Sequence, residues 1–222
     1  MISGIASAID DAEQDFGIIG RIIVTCVRHL GPKQGLNVVQ TMVDKPHPYV
    51  VGFGMGGDEN AFTLKEFAPV YKIAEKAGYD CTVHAGEICG PESVWDAINF
   101  LPISRIGHGV NSIKDEKLII ELLKRKIHLE ICPGSNLALS IFPSWDKHPL
   151  PSIMKKSISI SLNSDDPPFF NTTVGQEYHD SAKHFHLSIE DLKQISLMAM
   201  EASFADLKIK SRLIEKIKKF QS

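Results

Sequence analysis

Four short strings in this 222-residue chain gather the side chains best able to do chemistry. In order they are His84-Ala85-Gly86-Glu87, Arg105-Ile106-Gly107-His108-Gly109, Glu130-Ile131-Cys132-Pro133-Gly134-Ser135-Asn136 and Ser161-Leu162-Asn163-Ser164-Asp165-Asp166-Pro167. Each follows an apolar, β-branched run, which places it where a buried strand ends. Imidazoles and carboxylates delivered from the ends of successive parallel strands can build a hydrolytic metal site. In such a site the metal acidifies a water and a nearby carboxyl group moves a proton.

Each string also has a plainer reading. A lone His-x-x-Glu is usually a buried histidine beside a solvated glutamate, although Gly86 allows a tight turn that aims both groups into one cavity. Gly107-His108-Gly109 by itself is no more than a turn, with glycines that leave room for a ligand. Asp165-Asp166-Pro167 is more telling. Adjacent carboxylates at a strand end repel and lose hydration unless a cation or donor compensates. A fifth string, Gly57-Asp58-Glu59, follows Val50–Gly54 and offers a close-approach glycine.

The elements that must position these residues alternate. Strand candidates are Ile22–Val27, Tyr49–Phe53, Asp80–Val83, Arg105–Gly107, Ile127–Ile131 and Ile158–Leu162. Helical periodicity covers Pro32–Met42, Leu64–Lys76, Pro91–Phe100 and Asp115–Lys124, with later helices near Gln176–Phe185, Ile189–Ala202 and Asp206–Lys219. This alternation predicts parallel βαβ units in one α/β domain over residues 1–222. The nearly continuous apolar strands predict a sheet buried on both faces. Pro32 and Pro91 suit first helical turns, and Gly78 suits a C-terminal cap.

Composition narrows the class further. A formal charge of −3 argues against a nucleic-acid or membrane surface. The basic run Lys208–Lys219 reads as the solvated face of a terminal amphipathic helix. No Cys-x-x-Cys pair occurs among Cys26, Cys81, Cys89 and Cys132, so neither a thiolate zinc site nor a redox motif is expected. The first residues lack the pattern of a signal peptide, and no stretch is long and apolar enough to span a bilayer, so a cytoplasmic location is expected.

Taken in this order, the strings resemble the adenosine deaminase family of the metal-dependent hydrolase superfamily. The resemblance implies a zinc-dependent conversion of adenosine and water to inosine and ammonia. It assigns His84 and Asp165 to zinc, Glu87 to protonation of the purine ring, and His108 to orienting and deprotonating the attacking water. Gly57 and Asp166 would contact the purine, and Cys132-Pro133-Gly134-Ser135-Asn136 would shape the pocket wall. Adenine deaminases, close relatives within the superfamily, are the alternative.

The family opens with a His-x-His on its first barrel strand, and no such strand-borne pair occurs in these residues. His184-Phe185-His186 has the spacing but falls in a helical stretch, where residues two apart do not share a face. His29 ends a strand candidate, but the resemblance gives it no metal role. The expected fold is therefore an incomplete (β/α)8 TIM barrel with six strands, the first two being absent along with two zinc ligands. Alone, such a chain is expected to be inactive. It would be a non-catalytic binding or assembly module, or one subunit of a split enzyme whose partner chain supplies the other strands.

Overall fold

Val83, Ile106, Leu129 and Ile160 stand side by side across four parallel strands, each with no measurable exposure. They form the centre of a core between the sheet and its helices. The computed structural model describes residues 2–220. The six strands are β1 (Ile22–Val27), β2 (Val50–Gly56), β3 (Asp80–Ala85), β4 (Arg105–His108), β5 (His128–Ile131) and β6 (Ile160–Leu162). They pair in sequence order, all parallel. β1 and β6 are the two outer strands, so among the described residues the sheet is open.

The helices are α1 (Ile2–Phe16), α2 (Gly31–Asp44), α3 (Ala68–Lys76), α4 (Pro91–Phe100), α5 (Glu116–Arg125), α6 (Pro133–Ala138), α7 (Leu150–Lys155), α8 (Pro167–Phe170), α9 (Val174–Phe185), α10 (Ile189–Ala202) and α11 (Leu207–Lys219). Local chemistry explains their ends. Asp115 accepts from the Lys117 and Leu118 amides, Thr173 from Gln176, and Asp206 from Ile209, satisfying first-turn donors. Ser188 and Asp191 form a reciprocal capping box. Pro32 and Pro91 occupy first turns, and Gly78 takes φ +85° after α3.

One local expectation needs correction. The stretch Leu64–Lys76 is a 3-10 turn over Leu64–Phe67 followed by α3, with Thr63 and Glu66 capping the turn and Pro69 in the first turn of α3. Cys132-Pro133-Gly134-Ser135-Asn136 opens the short helix α6. One face of the sheet is polar although largely covered, with Thr82, His128 and Ser161 buried on it. Thr82, Arg105 and His128 align across β3–β5, as do His84, Gly107, Glu130 and Ser161 across β3–β6. These rows alternate with the apolar ones, so one face packs on helices while the other carries polar groups. Arg105 binds the Glu130 carboxylate there, and Thr82 Oγ1 donates to the same carboxylate at 3.1 Å.

No helix among the described residues is long and apolar enough to cross a membrane.

Candidate metal and catalytic site

The polar face ends, at the C-terminal edge of the strands, in four convergent side chains. His84 leaves β3 half-buried between two glycines. A Cβ on Gly107 would lie 2.5 Å from His84 Cδ2, and one on Gly56 would lie 3.4 Å from Cε1. The glycine before His108 thus makes space for the imidazole of His84, rather than for a ligand as its spacing suggested. Gly86, at φ +69°, then turns the chain so that Glu87 points back, 7% exposed.

A clamp holds this turn. The Glu59 carboxylate accepts from the amides of Gly86, Glu87, Ile88 and Cys89 and from Ser93 Oγ. These donors keep it ionised, below the usual carboxylate range despite burial. From the other side, Asn111 Nδ2 donates to the carbonyls of Glu87 and Cys89. Arg28 ties the preceding loop by donating to the carbonyls of Ala61 and Phe62.

His108 ends β4 in the left-handed region, at φ +61°, and is 1% exposed. Its ring meets His84 edge to face, with centroids 4.8 Å apart. Its Nε2 lies 3.5 Å from Glu87 Oε2 and 3.8 Å from Asp165 Oδ2. Glu87 Oε2 is also 3.9 Å from His84 Nδ1. Asp165 follows β6 at φ +54° and accepts a 2.7 Å hydrogen bond from Ser135 Oγ. Burial, then the charges of Asp165 and Glu59, push the Glu87 carboxyl up to about 7. Burial, then His84, push His108 down to about 3.

His84, Glu87, His108 and Asp165 are thereby brought together, and a cavity of about 340 Å³ opens beside His84, His108 and Asp165. Gly57 and Asp166 lie outside this close cluster, and both are exposed. A Cβ on Gly57 would meet His29 Nδ1 at 2.9 Å, and His29 Nδ1 accepts from the Asp58 amide at 3.3 Å. His184 stacks on Trp145 in the last turn of α9, and His186 follows the helix in the left-handed region, so the pair faces no common point. A larger cavity, about 530 Å³, opens at the other end of the strands near Asp80, Ser104 and Ser159.

Spacing did not reveal Glu59 or Asn111 as supports. Glu59 stands in a quoted string, but its partners come from the next strand's loop. Asn111 lies beyond the quoted Gly-His-Gly.

The donor chemistry fits zinc in part. Ligand atoms of His84, Glu87 and His108 lie within 4.8 Å of one another, as do those of His108, Cys132 and Asp165. Burial pushes the Cys132 thiol well above its usual range, so it stays neutral and forms wall. His84 belongs to the first group and Asp165 to the second, whereas a catalytic zinc takes three protein ligands and keeps a place for water.

The profile of the adenosine deaminase family matches residues 1–220. The chain belongs to the adenosine deaminase family. Within it, the adenine deaminase of Agrobacterium fabrum is 39% identical over 216 residues, which is 97% of this chain and 66% of that protein. The adenine deaminase of a Chelativorans species is 40% identical over 215 residues, again 97% and 66%. The crystal structure of an adenine deaminase from Arthrobacter aurescens superposes with a TM-score of 0.91 at 26% identity, covering 97% of this chain and 65% of that one. An amidohydrolase from Burkholderia ambifaria with bound Zn superposes at 0.90, also 26% identical, covering 97% of this chain and 60% of that one. The chain therefore spans less than two thirds of these family members' length, and its six strands make an incomplete barrel.

Proposed function

We propose that this chain carries the strand-end machinery of a zinc-dependent purine aminohydrolase that replaces the exocyclic amine of adenine with oxygen, giving hypoxanthine and ammonia. The observation that carries this reading is the convergence of His84, Glu87, His108 and Asp165 in one strand-end cluster, with a cavity beside His84, His108 and Asp165. The family members at 37–40% identity named adenine deaminase favour the free base. Adenosine, giving inosine, is the second reading, favoured by Arg105-Ile106-Gly107-His108-Gly109 and Gly90-Pro91-Glu92-Ser93-Val94-Trp95, which look more like adenosine deaminases.

His84 and Asp165 would hold zinc, which when bound supplies a strongly acidified water. Glu87, with its carboxyl near 7, is protonated in much of the population at neutral pH and serves as the acid for the ring nitrogen beside the attacked carbon. The Glu59 and Asn111 clamp fixes that carboxyl in place. Gly57 and Asp166, exposed near the strand ends, are assigned to the purine. The other zinc ligands come from a segment outside these residues, in the same polypeptide or in a separate chain that adds strands. The 222 residues alone are inactive. A cytoplasmic setting suits the four free thiols.

The test is zinc content and ammonia release with adenine and with adenosine, for the chain alone and with a segment that supplies a strand-borne His-x-His. Hypoxanthine formed only by the assembly supports the proposal, and inosine formed in preference supports the second reading. Zinc binding without turnover of either purine would leave a binding module.

A further inference from the structure

His108 touches more than the site it faces. Its Nδ1 is 3.2 Å from Asn136 Nδ2, and Asn136 Oδ1 is 3.2 Å from His148 Nε2. The chain of contacts ends on the Leu150 amide, which donates to His148 Nδ1 at 3.2 Å. His108, Asn136 and His148 are 1%, 0% and 4% exposed, so no solvent offers them other partners. Phe142 and Phe185 pack against the His148 ring, with centroids at 5.0 and 5.6 Å.

A backbone N–H can only donate, so direction propagates from it. His148 Nδ1 must accept, which puts the proton of the neutral ring on Nε2. Burial favours that neutral ring, lowering His148 to about 4. His148 Nε2–H then requires an oxygen from Asn136, and the amide is left pointing its NH2 at His108. Turning Asn136 over would oppose two lone pairs or two protons at one of the histidines. His108 Nδ1 must therefore accept, and its single proton sits on Nε2.

We propose that His148 and Asn136 are positioning residues that lock His108 in its Nε2–H tautomer, making it a hydrogen-bond donor to the reacting centre and not a proton acceptor there. To take up a second proton, His108 would have to place it on Nδ1, against the Asn136 amide. Nε2 lies too far from Glu87 Oε2 and Asp165 Oδ2 for a direct hydrogen bond of ordinary strength to either. On the aminohydrolase reading, the N–H is aimed at the oxygen that adds to the purine carbon. Preorganised donors of this kind are worth about 10²–10³ in rate. The family resemblance alone gave His108 the removal of a proton from water; the relay assigns it the orienting part and leaves proton acceptance to other groups.

The decisive measurement is a two-bond ¹H–¹⁵N correlation spectrum of the metal-free, 222-residue chain labelled at histidine, near neutral pH. The expected result is a pyridine-like Nδ1 and a pyrrole-like Nε2 for both His108 and His148. The opposite tautomer at either ring, or a doubly protonated His108, overturns the relay. In Asn136→Asp the carboxylate accepts from both rings, and His108 should switch to its Nδ1–H form. A folded Asn136→Asp that retains Nε2–H overturns the proposal. If that variant fails to fold, His148→Phe serves instead, because it removes the donor that orients Asn136. It should give mixed tautomers at His108, and a single unchanged tautomer would be fatal. In an assembly that turns over adenine, Asn136→Asp should lower kcat about 100-fold with KM within about twofold. An unchanged kcat refutes the donor role. The spectra decide the relay whether or not adenine is the substrate.

Discussion

His84 on β3 and Gly107 on β4 are direct ladder partners, and a Cβ at Gly107 would come within 2.5 Å of the His84 ring. The imidazole can reach the site only because its neighbour has no side chain. Gly107→Ala is therefore expected to swing His84 away and weaken zinc binding by about 10–100-fold, the range for disturbed ligand supports. Titration of zinc into the assembled protein, with sheet structure followed by circular dichroism, checks this. Unchanged affinity would remove His84 from the ligand set.

Glu59 holds the turn that carries Glu87 through four amides and one hydroxyl. Glu59→Gln keeps one acceptor oxygen and loses the charge. The expected cost is about 3 kcal/mol in urea unfolding, since hydrogen bonds to a charged group contribute about 1.5–3 kcal/mol each and some will re-form. Amide exchange should quicken at Gly86, Glu87, Ile88 and Cys89 while Ile106 stays protected.

Acid should destabilise the metal-free chain well before its carboxylates titrate. His108, His128 and His148 are lowered by burial to about 3, 3 and 4, against an unfolded value of 6.5. A depressed histidine contributes stability that is full above the unfolded pKa and is lost as pH falls toward the folded one. Glu87 has the opposite sign, because at about 7 in the folded state it releases a proton on unfolding. The balance is about two protons taken up, or about 2.7 kcal/mol per pH unit near pH 5. Unfolding in urea at pH 7.5, 6 and 5 measures the slope, and a flat profile would show that the histidines are not buried as described.

Arg105 neutralises Glu130 on the polar sheet face, with both side chains largely covered and Phe204 stacked 3.9 Å from the guanidinium. Arg105→Met strands the carboxylate and is expected to cost about 3 kcal/mol, with Arg105→Met/Glu130→Met recovering much of it. A double variant no better than the single one would mean that the ion pair is not the source of the cost.

Glu87→Gln keeps the shape of the side chain but cannot supply the same acid. Turnover in the assembled enzyme should fall by about 10²–10⁴ while zinc content is unchanged. Loss of zinc with turnover would recast Glu87 as a metal ligand.

Much of this protein is set locally. The α4 span Pro91–Phe100 and the α10 span Ile189–Ala202 follow from periodicity and caps, and strand order follows from the βαβ alternation. Because parallel strands end on one side, chain order alone places His84, His108 and Asp165 at one rim. Spacing does not disclose what surrounds them. It carries no sign that Gly107 clears room for His84, that Glu59 gathers the amides from Gly86 to Cys89, or that Asn136 joins His108 to His148. Those relationships are between residues distant in the chain, and they exist only once ladder register and burial have fixed distances and removed solvent. Local sequence determined which groups are available and which end of the sheet they leave from. Tertiary packing decided which of them are ionised, which way their protons point, and which neighbour holds each in place.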